Sequence, residues 1–352
     1  MRDGTIIYRD DIRMAVQAVP DVRCLYGKTI LITGGTGIIG SAAADCLISL
    51  NREENAGIRI ILAGRNEKKL RTVFGDTWDK DGIQFLPFDM ARIACVEAEA
   101  DYYIHCAGNA SPELYRKHPA ETLMEALNGL NALLQSAQKK PGSRVLLVSS
   151  SEVYGNRYTG NPDPFRESEY GYVDILSPRS CYPSAKRAAE TLCASYREEY
   201  GVDFTIARPG YVYGPCMTET DNRASSAFIR AAAAGMPIVM KSQGLQKRSY
   251  CYTADCASAL LTILLNGMAG EAYNISNRKS IVTIQEFAEA AAEAGGVELI
   301  RAEPSEDERK SYTPMEHAVL DSTKLEGLGW KGMWNIKAGI SHTMETLKGI
   351  HQ

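Results

Sequence analysis

Residues 29–40 read Thr29-Ile30-Leu31-Ile32-Thr33-Gly34-Gly35-Thr36-Gly37-Ile38-Ile39-Gly40, and the fold follows from how this stretch must behave. The apolar, β-branched run predicts a strand from Thr29 to Thr33, and the pattern beyond Gly37 predicts a helix from Ile38 to Leu50. Between them Gly34 and Gly37 allow a tight turn and let the backbone approach a pyrophosphate. Gly40 lets the helix pack closely on the sheet, and the helix N-terminus favours an anion. Glycines alone are weak evidence. Lodged between a strand and a helix at the head of a βα series, they mark a dinucleotide site that includes Ile38 and Ile39.

The rhythm continues outward. Strands are expected at 58–63, 83–88, 102–105, 144–149 and 203–207, with helices at 66–73, 119–138 and 183–200. Such alternation of short buried strands with helices predicts an α/β fold, a doubly wound parallel sheet. After Arg208-Pro209 the spacing loosens, with helices expected at 225–234, 254–266 and 284–294. Three parts result: an N-terminal extension (1–27) that packs on the body or on a neighbour, a dinucleotide-binding domain (28–208), and a smaller α/β lobe (209–352) for the substrate side. Part of 245–266 is expected to return to the first domain.

The second strand should end at the residue that meets the adenosine ribose, where a carboxylate favours NAD through the 2′-hydroxyl. Here the chain reads Ala63-Gly64-Arg65-Asn66. Arg65 suits a 2′-phosphate or packs on adenine, so NADP stays open beside NAD. Asp89, after the third strand, is placed to contact adenine. Ala107 and Gly108, after the fourth, let the cofactor approach the backbone.

A second motif carries chemistry: Ser149-Ser150-Ser151-Glu152-Val153-Tyr154-Gly155, followed by Tyr182-Pro183-Ser184-Ala185-Lys186. Tyr182 and Lys186 lie one helical turn apart on the same face. The ammonium should stabilise phenolate and lower the tyrosine pKa, so that Tyr182 takes a proton from an alcohol while hydride leaves the same carbon. Ser150, at a strand end, hydrogen-bonds the alcohol oxygen. Tyr182 and Lys186 also border the cofactor.

The totals narrow the field. With 43 acidic and 39 basic residues in 352, the net charge of -4 gives no reason to expect nucleic acid or an anionic membrane surface. No apolar run reaches the roughly 20 residues of a membrane span, and Met1 to Asp11 lacks the apolar core of a signal peptide. Nine cysteines without a CxxC pair suggest reduced thiols in a cytoplasm, with Cys106 and Cys181 as small buried hydrophobes. No metal site is indicated.

Taken together, the motifs resemble the extended short-chain dehydrogenase/reductase family of nucleotide-sugar epimerases, dehydratases and decarboxylases, from Lys28 to the C-terminus. Ala207-Arg208-Pro209, Tyr213-Gly214-Pro215 and Asp321-Ser322-Thr323-Lys324-Leu325 share in it. The resemblance implies a Rossmann domain, a nucleotide-sugar lobe, a homodimer and a role in polysaccharide biosynthesis.

Within the family the chain is most similar to the UDP-glucuronate decarboxylases, through Ala110-Ser111-Pro112 with Tyr115, the Ser150–Gly155 loop, Pro178-Arg179-Ser180-Cys181-Tyr182, Arg223 and Gln246-Lys247-Arg248. It departs from them at 174–177, at Cys216 in place of arginine, and after the second strand. The resemblance implies substrate contacts from Ser111, Ser151, Arg179, Arg223 and Arg248, with Arg223 on the diphosphate. Catalysis would fall to Ser150, Glu152, Tyr182, Lys186 and Arg248. A 4,6-dehydratase needs an acid where Ser151 stands, and a 4-epimerase has no evident use for Glu152 with Arg248; both remain alternatives, with a non-catalytic dinucleotide-binding protein further off. In a decarboxylase, Glu152 and Ser151 orient a carboxylate or a water, and Arg248 is a proton donor or clamp. The plainer readings are a loop-capping Glu152 and a surface or diphosphate-binding Arg248.

Overall fold

A computed structural model describes residues 5–157, 163–304 and 318–350. Its main sheet holds β1 (Thr29–Thr33), β2 (Arg59–Gly64), β3 (Gln84–Pro87), β4 (Tyr102–His105), β5 (Arg144–Val148), β6 (Asp203–Pro209) and a much later strand, β10 (Ala272–Ile275). The order is β10-β6-β5-β4-β1-β2-β3, with every neighbouring pair parallel. The order reverses between β1 and β4, which opens a crevice beyond their carboxyl ends, where ligands of such sheets bind.

Alternate residues of these strands feed opposite cores. Ile30, Ile32, Ile60, Leu62, Ile104, Leu146 and Val148 join one cluster; Leu31, Ile61, Tyr103, Val145, Leu147 and Phe204 join the other. Burial on both faces explains why the strands read as apolar runs. Over the first face lie α1 (Ile6–Gln17), α2 (Ile38–Glu54) and α9 (Thr253–Asn266). Over the second lie α6 (Pro119–Lys139) and α7 (Cys181–Tyr200). Short helices α3 (Glu67–Phe74), α4 (Thr77–Lys80) and α5 (Pro112–Lys117) fill the connections. Helix α7 starts two residues before the expected Pro183 because a 3-10 turn at Pro178–Ser180 leads straight in, and proline is tolerated in a first turn.

The remaining strands form a three-stranded sheet, β11-β9-β7, from β7 (Tyr211–Tyr213), β9 (Lys247–Tyr252) and β11 (Ile281–Thr283), and a parallel pair of β8 (Ile238–Met240) with β12 (Leu299–Arg301). Helices α8 (Ala224–Ala233), α10 (Ile284–Gly295) and α11 (Ile336–Ile350) pack around them. Within 245–266 the chain divides: β9 serves the small sheet, α9 covers the large one, and the large sheet is re-entered only at β10.

Residues 1–4 of the N-terminal extension lie outside the described residues. The rest packs on the body: Tyr8, Ile12, Ala15 and Val16 of α1 are buried. Tyr8 donates to Asp45 at 2.6 Å and meets the Cys216 sulfur at 3.0 Å. Asp11, 2% exposed, accepts from the Tyr252 hydroxyl at 2.7 Å and lies 2.9 Å from His342 Nδ1. Burial pushes the Asp11 carboxyl above its ordinary range, and Tyr252 and His342 only partly offset this.

Candidate active site

The turn after β1 leaves no room for side chains. Gly34 has φ +73°, and a Cβ on it would stand 2.7 Å from the Ala107 nitrogen. A Cβ on Gly40 would stand 2.5 Å from the Gly34 carbonyl oxygen. The Gly37 N–H donates to that same oxygen at 2.9 Å, and Gly37 caps α2. The Thr33 hydroxyl accepts from the Ala107 N–H at 3.1 Å and also hydrogen-bonds His105 Nδ1 at 2.9 Å. Burial, then Lys186, pulls His105 down to about 3, so the ring is neutral.

Beyond this turn opens a cleft of about 570 Å³, whose walls include Gly34, Gly37, Ile38, Ile39, Ser150, Ser151, Glu152, Tyr182 and Lys186. The strand-end loop is fixed from behind. Ser149 donates to Glu190 of α7 at 2.6 Å, and Glu190 pairs with the buried Arg208 at 2.6 Å. Arg208 also donates to the Tyr154 and Tyr170 hydroxyls. Arg187 of α7 donates to the carbonyls of Val153 and Gly171. Ser150 can therefore hold its extended backbone and accept from the Glu152 N–H at 3.2 Å, beside the Tyr182 phenol.

Tyr182 differs from the expectation of a lowered pKa. Burial and then Glu152 push it up to about 12, with partial relief from Ser150, Arg223 and Arg179. Lys186 lies 5.9 Å from the ring centre and donates to the Val148 carbonyl at 2.8 Å; burial pulls it down to about 8. A desolvated cation and a desolvated phenol each lose stabilisation of the charged form, and here that loss exceeds what the intervening distance returns.

Glu152 accepts from Arg179 at 3.2 and 3.5 Å. The Arg179 guanidinium lies 4.6 Å over the Tyr115 ring, and Tyr115 stacks on Tyr182 at 5.4 Å. Arg179, Tyr115 and Tyr182 thus form one stacked column ending at the phenol. Arg223 lines the cleft but is held by Asp221 at 2.6 Å, and Ser226 donates to the same carboxylate. Ser111 lines the cleft 3.5 Å from the Asn222 side-chain oxygen.

Other expected residues stand farther off. Arg65 is exposed at the end of β2, and the Asp89 carboxylate beyond β3 accepts from the Ala91 N–H at 3.2 Å. Ala107 backs Gly34 rather than lining the cleft. Arg248 is 2% exposed behind the cleft wall, its guanidinium 5.5 Å from the Tyr211 ring centre. Tyr211, which forms that wall, went unread: a tyrosine in a short strand carries no local mark of chemistry. Tyr115 belongs to a sequence motif, but its stack on Tyr182 depends on tertiary packing that no local pattern signals. Cys106 lines the cleft, but burial pushes its thiol up to about 12, and Cys181 is raised as well, so neither is a ready nucleophile.

A parallel sheet with a glycine turn at its switch point and a Ser-Tyr-Lys set at the mouth defines the short-chain dehydrogenase/reductase class. The profile of the NAD dependent epimerase/dehydratase family matches residues 30–276, and the chain belongs to that family. It is 31% identical over 339 residues to UDP-glucuronic acid decarboxylase 5 of Arabidopsis thaliana, covering 94% of this chain and 93% of the relative. Its fold is similar to that of the UDP-N-acetylglucosamine 4-epimerase of Methanobrevibacter ruminantium (TM-score 0.76, 21% identity, 93% and 99% covered). It is also similar to the UDP-glucuronic acid 4-epimerase of Bacillus cereus, solved with UDP-glucuronic acid and NAD (TM-score 0.74, 19% identity, 92% and 99% covered). No group of residues able to hold a metal ion, and no helix long and apolar enough to cross a membrane, occurs among the described residues.

Proposed function

We propose that this chain is an NAD-dependent nucleotide-sugar decarboxylase acting on UDP-glucuronate or a close relative. The observation that carries the reading is Glu152, paired with Arg179 in the cleft beside Ser150, Tyr182 and Lys186, with Ser151 where a dehydratase needs an acid. The relative named a UDP-glucuronic acid decarboxylase supports it over nearly the whole chain.

The residues fit a nicotinamide dinucleotide, because Gly34 and Gly40 let the turn pack backbone to backbone, which brings Gly34, Gly37, Ile38 and Ile39 bare to the cleft. Gly37, Ile38 and Ile39 at the head of α2 would hold its pyrophosphate, with Arg65 and Asp89 toward the adenosine end. Bound there, the cofactor supplies a reversible hydride acceptor for C4 of the sugar. Ser150 holds the C4 oxygen, Tyr182 moves its proton, and Lys186 favours the phenolate. With C4 a ketone, the C6 carboxylate belongs to a β-keto acid and can leave as carbon dioxide. Arg179, paired with Glu152, can also take the sugar carboxylate, since guanidinium forks match carboxylates. Arg223, with Ser111, faces the diphosphate.

We also infer a cytoplasmic homodimer. All nine cysteines are free, which favours a reducing compartment. A solution mass of twice 38.5 kDa would support the dimer.

The direct test incubates the protein with UDP-glucuronate, with NAD and NADP in separate reactions, followed by NMR. A UDP-pentose with carbon dioxide, formed with NAD, is expected. A UDP-hexose epimer, or no carbon dioxide from a folded protein that binds cofactor, would overturn the proposal.

A further inference from the structure

Tyr211 stands where the sequence suggested Arg248 would meet the substrate. It lines the cleft at the start of β7, while Arg248 is buried behind its ring. The sheet explains the order: Tyr211 pairs with Tyr250 across β7 and β9, and Arg248 is two residues back along β9, on the same face as Tyr250. The Arg248 guanidinium packs 5.5 Å from the Tyr211 ring centre and favours the ionised phenol, while Glu152 and Arg179 both act on that phenol electrostatically. Tyr115, stacked on Tyr182, lies within electrostatic reach of Tyr211 as well. Two phenols therefore wall one cleft, Tyr182 with Lys186 in support and Tyr211 with Arg248 in support.

Resting on the decarboxylase reading, we propose that Tyr211 is the catalytic acid that protonates C5 of the sugar, and that Arg248 is the positioning residue that holds its phenol. The C5–C6 bond breaks as carbon dioxide leaves, and its electron pair becomes an enolate across C4 and C5. The Tyr211 hydroxyl gives its proton to C5, which leaves a ketone at C4 and a phenolate against the Arg248 guanidinium. Solvent then returns a proton to Tyr211. Other donors are worse placed. A guanidinium holds its protons too tightly to give one to carbon near neutral pH, and this one lies behind the wall. Glu152 is engaged by Arg179 as an acceptor. Tyr182 has its proton committed to the C4 oxygen. Burial pushes Tyr211 up and Arg248 pulls it partly back, so the phenol is protonated when needed and its anion has a partner.

The test compares wild type, Tyr211→Phe and Arg248→Gln on UDP-glucuronate with NAD in deuterated water, following C5 deuteration and carbon dioxide release. Wild type should place deuterium at C5. Tyr211→Phe should slow C5 deuteration by at least about 100-fold, the usual scale of a lost general acid. Its unfolding temperature should be unchanged, and its substrate affinity by calorimetry should stay within about threefold of wild type. Arg248→Gln should move the alkaline limb of product formation to higher pH, because the phenol loses the cation that favours its ionised form; a packing role would leave that limb in place. Turnover of Tyr211→Phe within about fivefold of wild type would overturn the assignment. Absence of carbon dioxide from wild type would instead overturn the decarboxylase reading beneath it.

Discussion

At Tyr182 and Lys186 two buried groups are held away from their ordinary ionisation, and the direction of each shift sets a pH signature. In the mechanism proposed above the working pair is phenolate with ammonium. With Tyr182 near 12 and Lys186 near 8, protonation is the reverse of what each group prefers between those values. Below pH 8 the phenolate fraction rises with pH while Lys186 stays charged. Above it, each further gain in phenolate is cancelled by loss of the ammonium. The expected kcat/KM rises about tenfold per pH unit through neutrality and levels near pH 8. Lys186→Ala should lower the profile and remove the break. A break that persists in Lys186→Ala would assign it to another group. That Ser150, Tyr182 and Lys186 border one cleft was legible, because a strand-end serine and a Tyr-x-x-x-Lys helix turn are local patterns. Their ionisation was not, since it depends on burial contributed by distant segments. The same reason hid Asp221, which holds Arg223, and Tyr211, which screens Arg248.

Elements were readable where local pattern and tertiary demand agree. Strand β4 falls on Tyr102–His105 as expected, and β1 falls on Thr29–Thr33, because buried parallel strands are short apolar runs with glycine or polar stops. Helix α2 runs four residues past the expected Leu50, and ends only where Asn55 turns to φ +51°. Its exposed last turn carries no apolar period to read. The head of that helix makes a sharp prediction. A Cβ at Gly40 meets a backbone oxygen at 2.5 Å, so neither partner can rotate away. Gly40→Ala should cost about 1–3 kcal/mol, the scale of overpacking, and should weaken NAD binding more than it lowers stability. Denaturant unfolding and a cofactor titration on the same sample would check this; unchanged affinity would free Gly40 from the cofactor turn.

Across the whole molecule, the connections that sequence could not supply are the ones that join segments far apart in the chain. The large sheet is completed by β10 only after the chain has built β7, β8 and β9, an order with no local signal. Arg208 was quoted as part of a motif, yet its purpose shows only where Glu190, Tyr154 and Tyr170 converge on it. The N-terminal extension likewise proved to be a packed helix. Tyr8 joins α1 to α2 through Asp45 and to the segment after β7 through Cys216. Tyr8→Phe should therefore cost about 1–3 kcal/mol, since it removes a hydrogen bond to a carboxylate. A chemical-denaturation midpoint unchanged from wild type would show that this joint contributes nothing.

The bond from Asp11 to His342 also bears on how the chain comes off the ribosome. Helix α1 is synthesised before the sheet, but its one buried carboxylate finds its last partner 331 residues later, on α11. A nascent chain can assemble the βα core behind it in order of emergence. Asp11, however, must stay hydrated until the far end arrives. A helix made before the sheet is thus locked only after it, by a bond that needs residue 342.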